Sequence, residues 1–116
     1  MMTHRKERVS SLILREVSEI IERDLQDPRL GFVTVTGVKI TSDLRHATIF
    51  ITVHGTEEER KETLAVLNSA RGYIRREFGR RVRLKYTPEI DFEYDNTFEE
   101  MERINKLFES LEENGG

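Results

Sequence analysis

LNSARGYIRREFGRRVRLKY, Leu67 to Tyr86, decides how the chain folds. Its first part has helical spacing, with Leu67, Ala70, Ile74 and Phe78 recurring on one face. Yet Gly72 sits inside that helix, where glycine costs about 1 kcal/mol relative to alanine. At 100° per residue, Gly72 points roughly 160° away from the centre of the apolar face. Core packing therefore does not call for it. Two readings of Gly72 stand: a tolerated surface glycine or simple bend, and a kink that opens the backbone to close approach by a phosphate chain. Charge then accumulates. Arg71, Arg75, Arg76, Arg80, Arg81, Arg83 and Lys85 face a single acid, Glu77, a local balance of +6 in a chain of net −3.

Downstream, Arg81–Asp95 holds a period of two over its whole length. Val82, Leu84, Tyr86, Pro88, Ile90, Phe92 and Tyr94 alternate with charged or polar residues, which predicts one extended strand. Pro88 puts part of it on an edge or bulge. The charged face changes sign midway, from Arg81, Arg83 and Lys85 to Glu89, Asp91, Glu93 and Asp95. Along a straight strand the two groups lie roughly 30 Å apart at about 3.3 Å per residue, too far for the acids to neutralise the bases. Asn96–Leu111 follows as a last helix, with a Thr97/Glu100 capping box, an apolar stripe from Phe98 to Leu111, and ENGG as a frayed tail.

Upstream, residues 5–26 carry the stripe Val9, Leu12, Ile13, Val17, Ile20, Ile21, Leu25 and read as a helix stopped by DPRLG, Asp27–Gly31. Phe32–Ile40 and Leu44–His54 read as strands joined by TSDL, an antiparallel hairpin with a bulge at Gly37. Thr56 and Glu59 form a capping box that starts the helix leading into Leu67. The order is helix, two strands, a helix broken at Gly72, a strand and a helix. This is an α+β domain with helices on one face of a small sheet.

The chain has 116 residues and no cysteine, which excludes disulfides and thiolate metal sites and bounds it to one domain with a modest core. No apolar run reaches the roughly 18 residues of a membrane span, and the N-terminus lacks a signal-peptide pattern, so a cytoplasmic location is expected. The net −3 does not exclude a nucleic-acid partner. Exposed charges more than about 8 Å apart are screened at physiological salt, so a phosphate feels the local window.

Four segments in order resemble the ribosome-binding factor A family of bacterial small-subunit assembly factors. They are RVSSLILREVSEIIERDLQDPR (Arg8–Arg29), VTVTGVKITSDLRHATIFITV (Val33–Val53), LNSARGYIRREF (Leu67–Phe78) and RLKYTPEIDFEYD (Arg83–Asp95). The resemblance implies a KH-type domain of the second topology over residues 1–95: helix-strand-strand-helix-kink-helix-strand, with helices packed on one face of a three-stranded sheet. Residues 96–116 would add a C-terminal helix and frayed tail to the same domain. Ordinary KH modules clamp four nucleotides with a GXXG loop. This chain has no GXXG and matches the family's Ala-x-Gly kink with Ala70, Arg71 and Gly72. The resemblance further implies a partner, the small ribosomal subunit and its 16S ribosomal RNA, bound during late maturation near the RNA's 5′ end and the decoding-region helix. It implies no catalysis, no cofactor, a monomer, release with a separate GTPase, contacts with ribosomal proteins, and a role in the cold.

Residue pattern and resemblance together select Arg71, Gly72, Arg75, Arg76, Arg80, Arg81, Arg83 and Lys85 as RNA-binding residues. Arg5, Lys6 and Arg8 are second candidates, with a solvated helix end as the other reading. Arg29 either joins them or pairs locally with Asp27. Tyr73, beside Gly72, has two readings, a base-stacking aromatic and, with Ile74 next to it, a core residue. His4, His46 and His54 lack metal-ligand spacing. The acids of the last strand make a solvated or protein-facing surface rather than a Mg²⁺ site. Three function classes follow: an RNA-binding assembly factor, a protein-interaction module with an acidic C-terminal half, and a small nuclease or hydrolase.

Overall fold

The computed structural model describes residues 3–115. The elements are α1 (Thr3–Arg23), β1 (Phe32–Ile40), β2 (His46–His54), α2 (Glu57–Ser69), α3 (Arg71–Arg81), β3 (Glu89–Tyr94) and α4 (Thr97–Gly115). The sheet runs β1-β2-β3, with β1 and β2 antiparallel and β2 and β3 parallel. Strict alternation in β2 sends Ala47, Ile49, Ile51 and Val53 into the core and leaves Thr48, Phe50 and Thr52 partly exposed on the other side. Against the apolar face lie Val9, Ile13, Val17 and Ile20 of α1, Leu67 of α2, and Ile74 and Phe78 of α3. This is the KH-like α+β architecture.

The bulge falls where the glycine predicts it. Register shifts between Val35 and Gly37, and the extra residue, Thr36, turns its hydroxyl to Asp95 Oδ2 at 2.6 Å. The hairpin closes through Leu44 N–H donating to the Thr41 carbonyl at 2.9 Å. Asp43 accepts from the Thr41 hydroxyl and the Arg45 amide, and these bonds hold its carboxyl below the usual range. Leu44 has φ 62°, the left-handed position of such a loop, and its side chain packs on the core.

Helix α1 stops at Arg23, short of the expected Gln26. In the DPRLG turn, Arg29 donates to both Asp27 oxygens, at 3.0 and 2.8 Å, and its amide donates at 2.9 Å. These hydrogen bonds hold the Asp27 carboxyl down to about 2. Of the two readings of Arg29, the local pair is the one present. Gly31 N–H donates to the buried Thr63 hydroxyl at 3.0 Å.

The Thr56/Glu59 capping box starts α2 as expected. The box expected at Thr97/Glu100 does not form: the Thr97 hydroxyl and amide both donate to Asp95, and Glu100 N–H bonds the Asn96 carbonyl. An acceptor already present at Asp95 removes the need for the threonine cap. Helix α4 is described through Gly115, so most of the expected frayed tail is helical, and Gly116 lies outside the described residues.

The strand expected over Arg81–Asp95 forms only at Glu89–Tyr94. Register explains the difference. His46, the first residue of β2, faces Glu89, so residues 82–88 would have to pair with the hairpin loop. Helix α3 meanwhile continues past Gly79 to Arg81, and Val82, not a glycine, is its C-cap.

Candidate nucleic-acid interface

Helix α3 and residues 82–88 form the two walls of a basic cleft. Arg75 fixes them. Its guanidinium donates to the carbonyls of Thr87 (2.9 Å) and Pro88 (3.1 Å) and lies 3.6 Å from Glu89. These are carbonyls that no neighbouring strand satisfies, which is why an arginine fork fits there. Gly79 permits the approach, since a Cβ at that position would sit 2.9 Å from Thr87 Oγ1. Gly72, Arg76, Gly79 and Arg80 line the α3 wall; Lys85 and Tyr86 line the other.

A second depression, lined by Arg5 and Lys6 of α1, the Ser42–Leu44 loop and Leu84, shares Lys85 and Tyr86 with the first. Both depressions are therefore bordered by the same pair, Lys85 and Tyr86. Tyr86 stands at the junction, 49 % exposed, with the Arg45 guanidinium 4.2 Å from its ring centroid and the Lys85 ammonium 5.7 Å away.

The predicted residues divide by what they already touch. Arg76, Arg83, Lys85, Arg5, Lys6 and Arg8 are exposed, with no ion pair among the described residues. Arg80 has only an exposed i,i+3 contact to Glu77 at 3.3 Å, worth little in water. Arg71 donates to Asp91 at 3.0 Å. Arg81 is committed elsewhere: it donates to Asp24 at 3.0 Å, lies 3.7 Å from Glu16 and 3.8 Å from Glu19, and its side chain is 27 % exposed. It fastens the end of α3 to α1.

Separation of acids from bases along one strand thus fails in three dimensions, because α3 crosses β3 and brings Arg71 to Asp91 and Arg75 to Glu89. The break between helices lies at Ala70 (φ −89°, ψ 1°), not at Gly72. Gly72 is in the first turn of α3, and a Cβ there would meet nothing within 4 Å. Neither conformation nor packing requires a glycine. Its bare backbone forms part of the cleft wall.

Tyr73 is 40 % exposed, against its core reading. Tyr86, with Arg45 over its ring, borders both depressions although neither residue is in the predicted set. Parity grouped Tyr86 with buried Val82 and Leu84, and nothing local in the sequence marks Arg45 as its neighbour.

The ribosome-binding factor A family profile matches residues 5–108. The chain is 48 % identical to a ribosome-binding factor A of Halothermothrix orenii over 97 % of its own length and 93 % of that protein's. This chain belongs to the ribosome-binding factor A family. A family relative from Desulforamulus reducens is 44 % identical over 95 % of this chain and 92 % of its own. The crystal structure of ribosome-binding factor A from Thermus thermophilus superposes with a TM-score of 0.68 at 27 % identity, covering 77 % of this chain and 94 % of that one. A homology model of the Thermus thermophilus factor, fitted into a cryo-electron-microscopy map of its complex with the 30S subunit, matches with a TM-score of 0.64 at 26 % identity, covering 75 % and 91 %. Among the described residues, no three His, Asp or Glu side chains converge as a metal site, and no helix is long and apolar enough to cross a membrane.

Proposed function

We propose that this chain is a non-catalytic, cytoplasmic assembly factor. It binds the small ribosomal subunit through 16S ribosomal RNA and promotes late maturation, including processing near the RNA's 5′ end. It acts as a monomer and leaves with the help of a separate GTPase; a role in the cold belongs to the same reading. The observation that carries the proposal is the pair of basic depressions that share Lys85 and Tyr86. Arg76, Arg80 and Lys85 converge with Arg5 and Lys6 around an exposed tyrosine, where phosphates and one unpaired base fit together. Phosphate contacts of this kind set affinity and orientation. Stacking on Tyr86 adds contact with little regard to base identity.

Within the predicted set, Arg76, Arg80, Arg83 and Lys85 are the RNA-contacting cations, with Gly72 as bare wall and Arg5, Lys6 and Arg8 extending the set. Arg75 and Arg81 shape the surface by holding other elements, and Arg71, whose pair with Asp91 is exposed and worth little in water, is a further contact. A charge reversal at Arg75 would therefore damage the fold as well as binding, and Arg76→Glu with Arg80→Glu is the cleaner test. Co-sedimentation of the full chain with purified small subunits should give a slope of log K on log salt of about −3.5 to −4.5 for roughly five phosphate contacts. The double variant should lose most binding while melting like the wild type. Normal binding by that variant would place the RNA contact elsewhere.

A further inference from the structure

Helix α4 is amphipathic, and among the described residues its apolar face is left uncovered. Phe98, Met101, Ile104, Leu107, Phe108 and Leu111 form one stripe and are 46–70 % exposed. At about 1.5 Å per residue the stripe runs roughly 20 Å, and it presents on the order of 500 Å² of apolar surface, the size of the largest patch on a typical monomer, which is often functional. Met101, Ile104, Phe108 and Leu111 have the 3-4-3 spacing of a helix-packing seam. The helix carries six glutamates against Arg103 and Lys106, a net of −4.

Charge selects the occupant. A second copy would bring two such acidic helices face to face. Ribosomal RNA would meet both carboxylates and an apolar stripe that offers phosphate nothing. The chain's own apolar groove between α1 and β1 is bordered by Glu22 and Asp27, of the same sign as the helix. A basic protein segment satisfies both halves, with apolar side chains on the stripe and lysines or arginines beside Glu100, Glu109 and Glu112.

We propose that α4 is a docking helix for a basic, apolar-faced protein segment on the assembling small subunit, independent of the cationic cleft. The choice of subunit as target rests on the function proposed above. The test uses the full chain and purified small subunits. A photo-crosslinking amino acid replaces Phe108, and a second variant carries Ile104→Gln with Leu111→Gln, which keeps helix propensity and charge. The crosslink is expected on a ribosomal protein, at a segment mixing basic and apolar residues. The glutamine variant is expected to bind roughly tenfold more weakly with an unchanged salt slope and an unchanged melting curve. A crosslink to RNA, to a second copy, or to neither overturns the inference, as does wild-type affinity in the glutamine variant. If that variant binds normally while Arg76→Glu with Arg80→Glu does not, the docking role of α4 fails alone. If the wild-type chain does not bind subunits at all, both proposals fall.

Discussion

Two glycines of α3 have opposite reasons for being there. A methyl group at Gly72 points into open space, so Gly72→Ala should stabilise the fold by about 0.5 kcal/mol, less than the interior value because the site is in the first turn. The same change at Gly79 drives a Cβ to 2.9 Å from Thr87 Oγ1. Thr87 is β-branched and its carbonyl is held by Arg75, so it has little room to give. Gly79→Ala should cost a net 1 kcal/mol or more, roughly, despite its better helix propensity. Urea unfolding of the two variants checks both signs. If Gly72→Ala weakens subunit binding while stabilising the chain, its glycine serves contact. If it binds as before, the surface-glycine reading of Gly72 is sufficient.

Arg75 is where a side chain decides the course of an element. With its guanidinium in place, the carbonyls of Thr87 and Pro88 are satisfied without a neighbouring strand; Pro88, fully buried, completes the seam. Arg75→Ala should destabilise by about 1.5 kcal/mol, the low end for charged hydrogen bonds because the side chain is 41 % exposed. Arg76→Ala, one residue on and unpaired, should change stability by less than about 0.5 kcal/mol. Exchange of the Glu89 amide, which donates to the Arg45 carbonyl just beyond the segment that Arg75 holds, should accelerate only in the first variant. Helices α1 and α2, the hairpin and the bulge at Gly37 were legible because burial periodicity and turn chemistry are local signals. The extent of β3 was not. Alternation records which side chains are buried, and Val82 and Leu84 do pack on the core, but a ladder also needs a partner backbone, and β2 begins too late to supply one. The candidate site shows the same division. Clustered arginines could be read directly, whereas the ion pairs and carbonyl contacts of Arg71, Arg75 and Arg81 depend on which helix crosses which strand.

At the scale of the whole molecule, charge is segregated by shape. The cationic cleft lies on α3 and the loop beside α1, while α4, net −4, leaves the sheet beyond β3. Its departure is held at the base. Asp95 accepts from Thr36 and Thr97, bonds that pull its carboxyl below the usual range, and Arg60 lies 3.6 Å from Glu99 and 5.1 Å from the centre of the Tyr94 ring. The radius of gyration is 17.2 Å, against about 13 Å for a compact domain of this length. Opposite charge would favour collapse of α4 onto the cleft, but screening beyond about 8 Å weakens that pull at physiological salt. Small-angle scattering of the free chain should therefore give a radius near 17 Å at physiological salt. A value near 13 Å would mean that α4 covers part of the domain before any partner arrives. If that compact value rose with added salt, the covering contact would be the acidic helix on the arginines, and the cleft would be closed in the free protein.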